Sequence, residues 1–403
     1  MDNGSEFDVI IVGGGMVGAA QVLAFCQQHK RVLLLEKNLP KSEWLEKPPL
    51  RVSAVNLCSE EYLNELGLWQ HLSAEHMCVF NHLSTWEKEA SALAKQKLTF
   101  SAQDINKSHL GYLIRNEALQ MAAFEQFKQL SNPPVISSAE LVAIDQDGLT
   151  TEQDKVIVRL QEKDVQTQLK SHLVIGADGA NSRVRQLLNI GLSGWDYQQH
   201  CFSITIKTNF PMQDITWQEF QPSGPKAFLP LSDGMASLIW YDSADIIKQL
   251  KQMSPLALKQ KVLDVFPPLA GDFEVVQHAS FPLTRRQAKS YVDGRAVLIG
   301  DAAHTINPLA GQGVNLGYKD VAELSQQLDG IDLTDNSSLT KALQKYQTKR
   351  KTESLVMSGA MDSFYTLFSN DKTVLKFVRR GLLNVANKLP WAKKQVLMKA
   401  VGY

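Results

Sequence analysis

A short β-branched run, Phe7–Val12, ends in Gly13-Gly14-Gly15-Met16-Val17-Gly18, and a helical apolar pattern follows from about Met16 to Gln28. No other stretch limits the possible folds so tightly. A second apolar run, Arg31–Leu35, comes next, so the segment reads as strand, glycine turn, helix, strand: a βαβ unit. The glycines fit GxGxxG in the context that gives the pattern a mechanism, after a strand and at the opening of a helix. Gly13 is expected to permit the tight turn, Gly15 to let a pyrophosphate approach the backbone, and Gly18 to let the helix pack closely on the strand. The free N–H groups and positive dipole end of the helix then face the phosphates. Glu36 closes the second strand, where a carboxylate can accept the hydroxyls of a ribose. The unit suits a dinucleotide without choosing between NAD and FAD.

The choice comes from further down the chain. His172–Ala177 is strand-like and runs into Asp178-Gly179; Arg295–Ile299 is strand-like and runs into Gly300-Asp301. The second junction continues as Ala302-Ala303-His304, Pro308 and Gly311-Gln312-Gly313-Val314-Asn315, with a helical stretch from about Val314 to Leu328. Asp301 is placed to bond a polyol hydroxyl. The Gly311–Asn315 turn offers backbone N–H groups at a helix start, a positive pole suited to a flavin's pyrimidine edge, which turns anionic on reduction. These features favour FAD.

Between about 195 and 285 the texture changes to short alternating runs, among them Cys201–Thr208, Lys226–Leu231 and Ala236–Tyr241. The last two flank Ser232-Asp233-Gly234, a hairpin turn signal. Phe228 and Trp240 on this hairpin are candidate substrate-pocket residues, with plain sheet core as the bland alternative. The expected fold class is α/β: a discontinuous GxGxxG FAD-binding domain (1–75, 101–190, 280–340), an inserted antiparallel β-rich substrate domain (76–100, 191–279) and a helical, basic C-terminal region (341–403).

Gly13–Gly18, then Gly176-Ala177-Asp178-Gly179 with Asn181-Ser182-Arg183, then Gly300-Asp301 through Asn315 resemble, in order and spacing, the three fingerprints of the single-component (class A) aromatic flavoprotein monooxygenases. The resemblance implies that the middle fingerprint, with Asp178, serves both FAD and transient NAD(P)H. It implies that Arg51, in Leu50–Ala54, lies near the flavin, and that Arg115, in Tyr112–Arg115, contacts the phosphate side of the cofactor. Within the family, Trp217–Phe220, Gly224–Leu231, Ser237–Ser243, Phe281–Leu283 and Thr305–Gly313 resemble the ubiquinone-biosynthesis hydroxylases. Met361–Tyr365 and Phe368–Asn370 look most like the member that acts on demethoxyubiquinol. The likeness runs from about Phe7 to the C-terminus.

What the resemblance implies is hydroxylation of a polyprenyl benzoquinol ring, with FAD as cofactor, NAD(P)H as electron donor and O2 as co-substrate, through a C4a-hydroperoxide of the flavin. The cofactor carries the chemistry, and no catalytic side chain is assigned. Pro308 is expected to act by shape, as a wall beside the ring. His304 is weighed as a structural hydrogen-bonding residue before it is weighed as a base. A sister hydroxylase, a soluble phenol hydroxylase, a flavin-dependent reductase of isoprenoid double bonds and a non-catalytic flavin-binding scaffold subunit stay open. A ubiquinone-biosynthesis assembly is among the candidate partners.

Charge bounds the partners. Lys and Arg number 42, as do Asp and Glu, so no global field draws in nucleic acid. Cys26, Cys58, Cys78 and Cys201 form no CxxC pair and no zinc spacing. The acidic, polar opening and the short Val9–Val12 run do not read as a secretory signal, and no stretch reaches the length of a membrane span. The expectation is a cytoplasmic protein, either free or peripheral at the inner face of a membrane. From Ser363 to Tyr403 the cations are Lys372, Lys376, Arg379, Arg380, Lys388, Lys393, Lys394 and Lys399, against the one acid Asp371, with aromatics interleaved. Such a segment suits an anionic membrane surface. Packing on its own domain or on a partner is the equal alternative.

Overall fold

The computed structural model describes residues 2–88, 97–146, 155–306, 313–368 and 390–403. Pro308, Gly311, Gln312 and the cations from Lys372 to Lys388 lie outside the described residues. In chain order the elements are β1 (Glu6–Val12), α1 (Met16–Gln27), β2 (Val32–Leu35), α2 (Glu43–Glu46), β3 (Val52–Asn56) and α3 (Leu57–Glu65). There follow β4 (Met77–Phe80), β5 (His82–Glu87), β6 (Leu98–Ser101), β7 (Gly111–Arg115), α4 (Asn116–Phe127), β8 (Val135–Ser137), β9 (Glu140–Asp145), β10 (Val156–Glu162), β11 (Val165–Gly176) and α5 (Arg183–Leu187). The second half holds β12 (Leu192–Thr208), β13 (Ile215–Phe220), β14 (Lys226–Pro230), β15 (Met235–Ser243), α6 (Ala244–Leu250), α7 (Pro255–Val265), β16 (Phe273–Ala288), β17 (Val292–Asp293), β18 (Ala296–Leu298), β19 (His304–Thr305), α8 (Gly313–Gln327) and α9 (Asn336–Phe368). A last helix spans Pro390–Ala400.

The strand at the centre of the first sheet is β1, parallel to β2 on one side and β11 on the other. Val9, Ile10 and Ile11 are fully buried, as a parallel strand covered on both faces requires. Beyond β2 lies β8, and beyond β11 lies β18, both parallel; β10 and β9 extend β11 in antiparallel fashion. Strand ends that carry the motifs, Val12, Gly176 and Leu298, are thereby aligned at one edge.

A second sheet runs β19-β16-β12-β15-β14-β13-β5-β6, antiparallel except where β13 meets β5. It is built on two long strands, β12 and β16, so the expected boundary at 279/280 falls inside a single strand. β4, just past the expected boundary at 75/76, pairs with β7, which pairs with β3, in a separate three-stranded sheet.

Which face of the second sheet looks where is decided by parity. Phe202, Ile204, Ile206, Phe228, Ala236, Leu238 and Trp240 share one face and pack with Ile247 and Leu250 of α6 and Leu258 and Val262 of α7. Phe228 stacks on Trp217 at 5.7 Å between centroids, and Trp240 meets Phe266 edge-on at 5.6 Å. These two candidate pocket residues are therefore core of the second domain. The opposite face meets the first domain: Thr205 Oγ1 donates to Pro49 O at 2.7 Å, Gln277 Nε2 to Pro48 O at 2.7 Å, and Arg51 lies over the Phe281 ring. Tyr197, Cys201, Ile239, Tyr241, Phe281 and Leu283 cluster on this face, joined by Met361 of α9. Strand alternation says that neighbours point apart; it does not say which of them faces the partner domain.

The described parts of the tail, to Phe368 and from Pro390, are helical, and the last helix returns to the body of the protein. Leu397 and Val401 are buried with Leu57, Phe80 and Phe100, and Lys393 Nζ pairs with Asp104 at 2.7 Å. Among the described residues, no helix is long and apolar enough to cross a membrane.

Candidate FAD site

The turn between β1 and α1 shows why three of its positions are glycine. Gly13 has φ +99°, and a Cβ there would lie 2.5 Å from Ala177 O. A Cβ on Gly18 would lie 1.9 Å from Gly13 O, so helix and turn touch through that hydrogen. At Gly15, among the described residues, no atom lies within 4 Å of an added Cβ, which leaves open space in front of the helix end. Glu36 stands beside the turn: its Oε2 accepts from Gly14 N at 2.6 Å and its Oε1 from Asn38 N at 2.7 Å. Each oxygen keeps acceptor capacity for a further hydroxyl. Gln120 of α4 clamps the same turn, donating from Nε2 to Gly14 O at 2.8 Å. No motif in the sequence marks Gln120, since its partner is a backbone carbonyl 106 residues away.

Asp178 follows β11. Its Oδ2 accepts from Arg183 N at 2.6 Å and Val184 N at 3.1 Å, capping α5. Its Oδ1 is buried and, among the described residues, without a partner; a buried carboxylate oxygen in that state calls for a ligand or water. Arg115 is buried, and its guanidinium holds the chain around α2: Nη1 donates to Leu45 O at 2.8 Å and Nη2 to Trp44 O and Lys47 O. Only its Nε is left without a partner among the described residues. Its main occupation is thus to shape the segment leading to Pro48, Pro49 and Arg51.

Asp301 sits in a short 3-10 turn, Gly300–Ala302, and is solvent-accessible as a residue. Arg51 is exposed, and burial raises the Asp301 carboxyl while Arg51 is among the groups that act to lower it. Val17 of α1 links the motifs: a Cβ on Gly300 or on Gly317 of α8 would come within 3.2 Å and 2.5 Å of it. Residues near positions 17, 300 and 317 are thereby packed together, and α1 and α8 begin side by side. Gly313, the first residue of α8, has no atom within 4 Å of an added Cβ among the described residues. Val314 packs on the core. The Asn315 side chain turns inward, donating to Ala54 O at 2.8 Å and accepting from Asn56 N at 3.1 Å. It fastens α8 to β3. His304 is buried, with Nε2 2.6 Å from Asp320 Oδ2, in keeping with a structural role.

The open space at Gly15, the acceptor capacity of Glu36, the orphaned Asp178 Oδ1 and the accessible Asp301 fit a dinucleotide that ends in a polyol-linked ring. The comparisons agree. Residues 6–355 match the family model described as FAD binding domain. The 3-demethoxyubiquinol 3-hydroxylase of Escherichia coli (strain K12) is 37% identical over 397 residues, 98% of each chain. The chain belongs to the FAD-dependent ubiquinone-biosynthesis hydroxylases. A second member of this flavoprotein family, the mitochondrial ubiquinone biosynthesis monooxygenase COQ6 of Rattus norvegicus, is 30% identical over 98% of this chain and 90% of its own. Among solved structures, p-nitrophenol 4-monooxygenase PnpA of Pseudomonas putida DLL-E4 has the same fold, with a TM-score of 0.79 at 18% identity and 99% or more of both chains covered.

Proposed function

We propose that this flavoprotein hydroxylates the ring of a demethoxyubiquinol, a polyprenyl benzoquinol, with NAD(P)H as transient electron donor and O2 as co-substrate. The reading is supported by the register of β1, β11 and β18, whose ends at Val12, Gly176 and Leu298 lead into the Gly13–Gly18 turn, Asp178 and the turn that carries Asp301. Full-length similarity to a protein named for that reaction supports it. Bound FAD supplies the oxygen-activating chemistry. The chain's part is binding and exclusion of water. Gly15 and the N–H groups of α1 hold the pyrophosphate, Glu36 the ribose, and Asp301 a ribityl hydroxyl. Arg51, Arg115 and Asp178 complete the cofactor side, with the α8 start at Gly313, Val314 and Asn315. Ile239 and Phe281, packed on the buried Tyr241, offer the quinol ring an apolar face, and exclusion of water there strengthens the polar contacts of the site.

The last helix supports a seat on a membrane surface. Its inner side packs on the protein, while Trp391 and Val396 are exposed beside Lys394 and Lys399. A substrate with a polyprenyl tail resides in the bilayer, and an aromatic with flanking cations suits the anionic interface.

The test is mass spectrometry of quinones from cells lacking the gene, with and without its restoration. Accumulated demethoxyubiquinone that disappears on restoration is expected. A different accumulated intermediate would move the assignment to a sister step. Normal ubiquinone in both strains, where no redundant hydroxylase is present, would overturn the reading.

A further inference from the structure

The turn that presents Asp301 is tied at both ends to one atom. Asp320 of α8 is fully buried. Its Oδ2 accepts from Gly300 N at 2.8 Å and also pairs with His304 Nε2 at 2.6 Å. Gly300 and His304 bracket Asp301, so a single carboxylate oxygen closes the loop from below. The other oxygen, Oδ1, accepts from Arg350 Nε of α9 at 2.7 Å, which stops the carboxylate from rotating. Arg350, itself buried, also reaches Leu316 O. Burial by itself would raise the Asp320 carboxyl, but His304 and Arg350 bring it below the usual range, so it carries its charge at neutral pH.

A buried ion pair is weak evidence for stability, because an apolar filling of equal volume is often as stable. What the pair does supply is geometry. Gly300 has φ +58°, a conformation with competitors, and three donors on one buried carboxylate select it. Burial raises the Asp301 carboxyl, with His304 and Arg51 acting against that rise and Asp320 adding to it. We propose that Asp320 is a positioning residue for the flavin: with His304 and Arg350 it holds the Gly300–His304 turn in the form that offers Asp301 to the cofactor. The inference rests on the FAD reading of the cleft.

The experiment uses full-length apoprotein titrated with FAD, read by flavin fluorescence, together with the midpoint potential of the bound flavin. Asp320→Asn combined with Arg350→Met removes both charges and leaves no unpaired buried cation. The expected result is a folded protein by circular dichroism, an FAD Kd raised at least tenfold, and a shifted potential. Arg295→Met is the control, since Arg295 is equally buried but bonds His172 O and Leu333 O away from the turn. It is expected to lower the melting temperature while the FAD Kd stays within twofold. A folded double variant with wild-type Kd and potential would overturn the proposal, as would an equal loss of affinity in the control. Should the double variant not fold, His304→Gln, which leaves the Asp320–Arg350 pair intact, decides by the same two readouts. Wild-type apoprotein that takes up no FAD would overturn the flavin reading itself.

Discussion

Replacing Lys226 with methionine should stabilise the protein at neutral pH and destabilise it at alkaline pH. Lys226 has no solvent exposure. Its Nζ donates to Tyr241 O at 2.9 Å and Gly224 O at 3.1 Å, lies 3.8 Å from Asp242 Oδ2, and sits 5.2 Å from the centroid of the Trp240 ring. Burial outweighs the nearby carboxylates and lowers its pKa from 10.5 to about 7. That fall of roughly 3.5 units corresponds to about 5 kcal/mol against the charged amine in the folded state. The sign follows from the proton count. Between pH 7 and 10.5 the unfolded chain holds the proton and the folded chain does not, so wild-type stability rises with pH. The penalty is full below pH 7 and absent above 10.5. Methionine fills the space without a charge but leaves the two buried carbonyls without their donor, at a cost of about 3 kcal/mol. The difference is a gain of about 2 kcal/mol at pH 6.5, shrinking by about 1.4 kcal/mol per pH unit above 7, with a change of sign near pH ~8.5. Urea unfolding followed by tryptophan fluorescence measures it, since Trp217 and Trp240 lie in this core. A difference that does not vary with pH, or a variant less stable than wild type at pH 6.5, would refute the reasoning.

Gly18→Ala puts a Cβ 1.9 Å from Gly13 O, so helix and turn must part; the protein should purify with little bound flavin and lose about 3 kcal/mol of stability, read by the ratio of flavin to protein absorbance and by the melting temperature. Phe228→Ala should cost about 3–5 kcal/mol in the same urea assay yet leave the KM for quinol unchanged, because the ring faces away from the cleft; a raised KM with normal stability would return Phe228 to the pocket. Lys394→Ala with Lys399→Ala should weaken co-sedimentation with anionic phospholipid vesicles roughly 30-fold, at about 1 kcal/mol per cation, and unchanged partitioning would favour packing on a partner instead.

The turn after β1 could be read along the chain because its determinants are local. The turn after β1 needs glycine at Gly13 for a positive φ and at Gly18 for contact with Gly13 O, and both needs arise within six residues. The strand ends before Asp178 and Asp301 are likewise short-range, as are the hairpin around Asp233 and the last helix, Pro390–Ala400. Where a side chain's meaning depended on a distant surface, the sequence was silent. Arg115 read as a phosphate ligand, and the sequence did not show that the carbonyls of Trp44, Leu45 and Lys47 take three of its five N–H groups. A lysine in a strand reads as solvent-facing, yet α6 and α7 cover the face that holds Lys226.

The alternation of β12, β14 and β15 and the glycine geometry of the cleft follow from the sequence by itself, because backbone sterics and side-chain period act over a few residues. Tertiary structure alone decided which parity of that alternation meets the first domain, so that Ile239 and Tyr241 look inward and Phe228 and Trp240 look away. It alone brought Asp320 and Arg350 under His304, since burial and charge pairing are set by elements that meet only once the chain has folded.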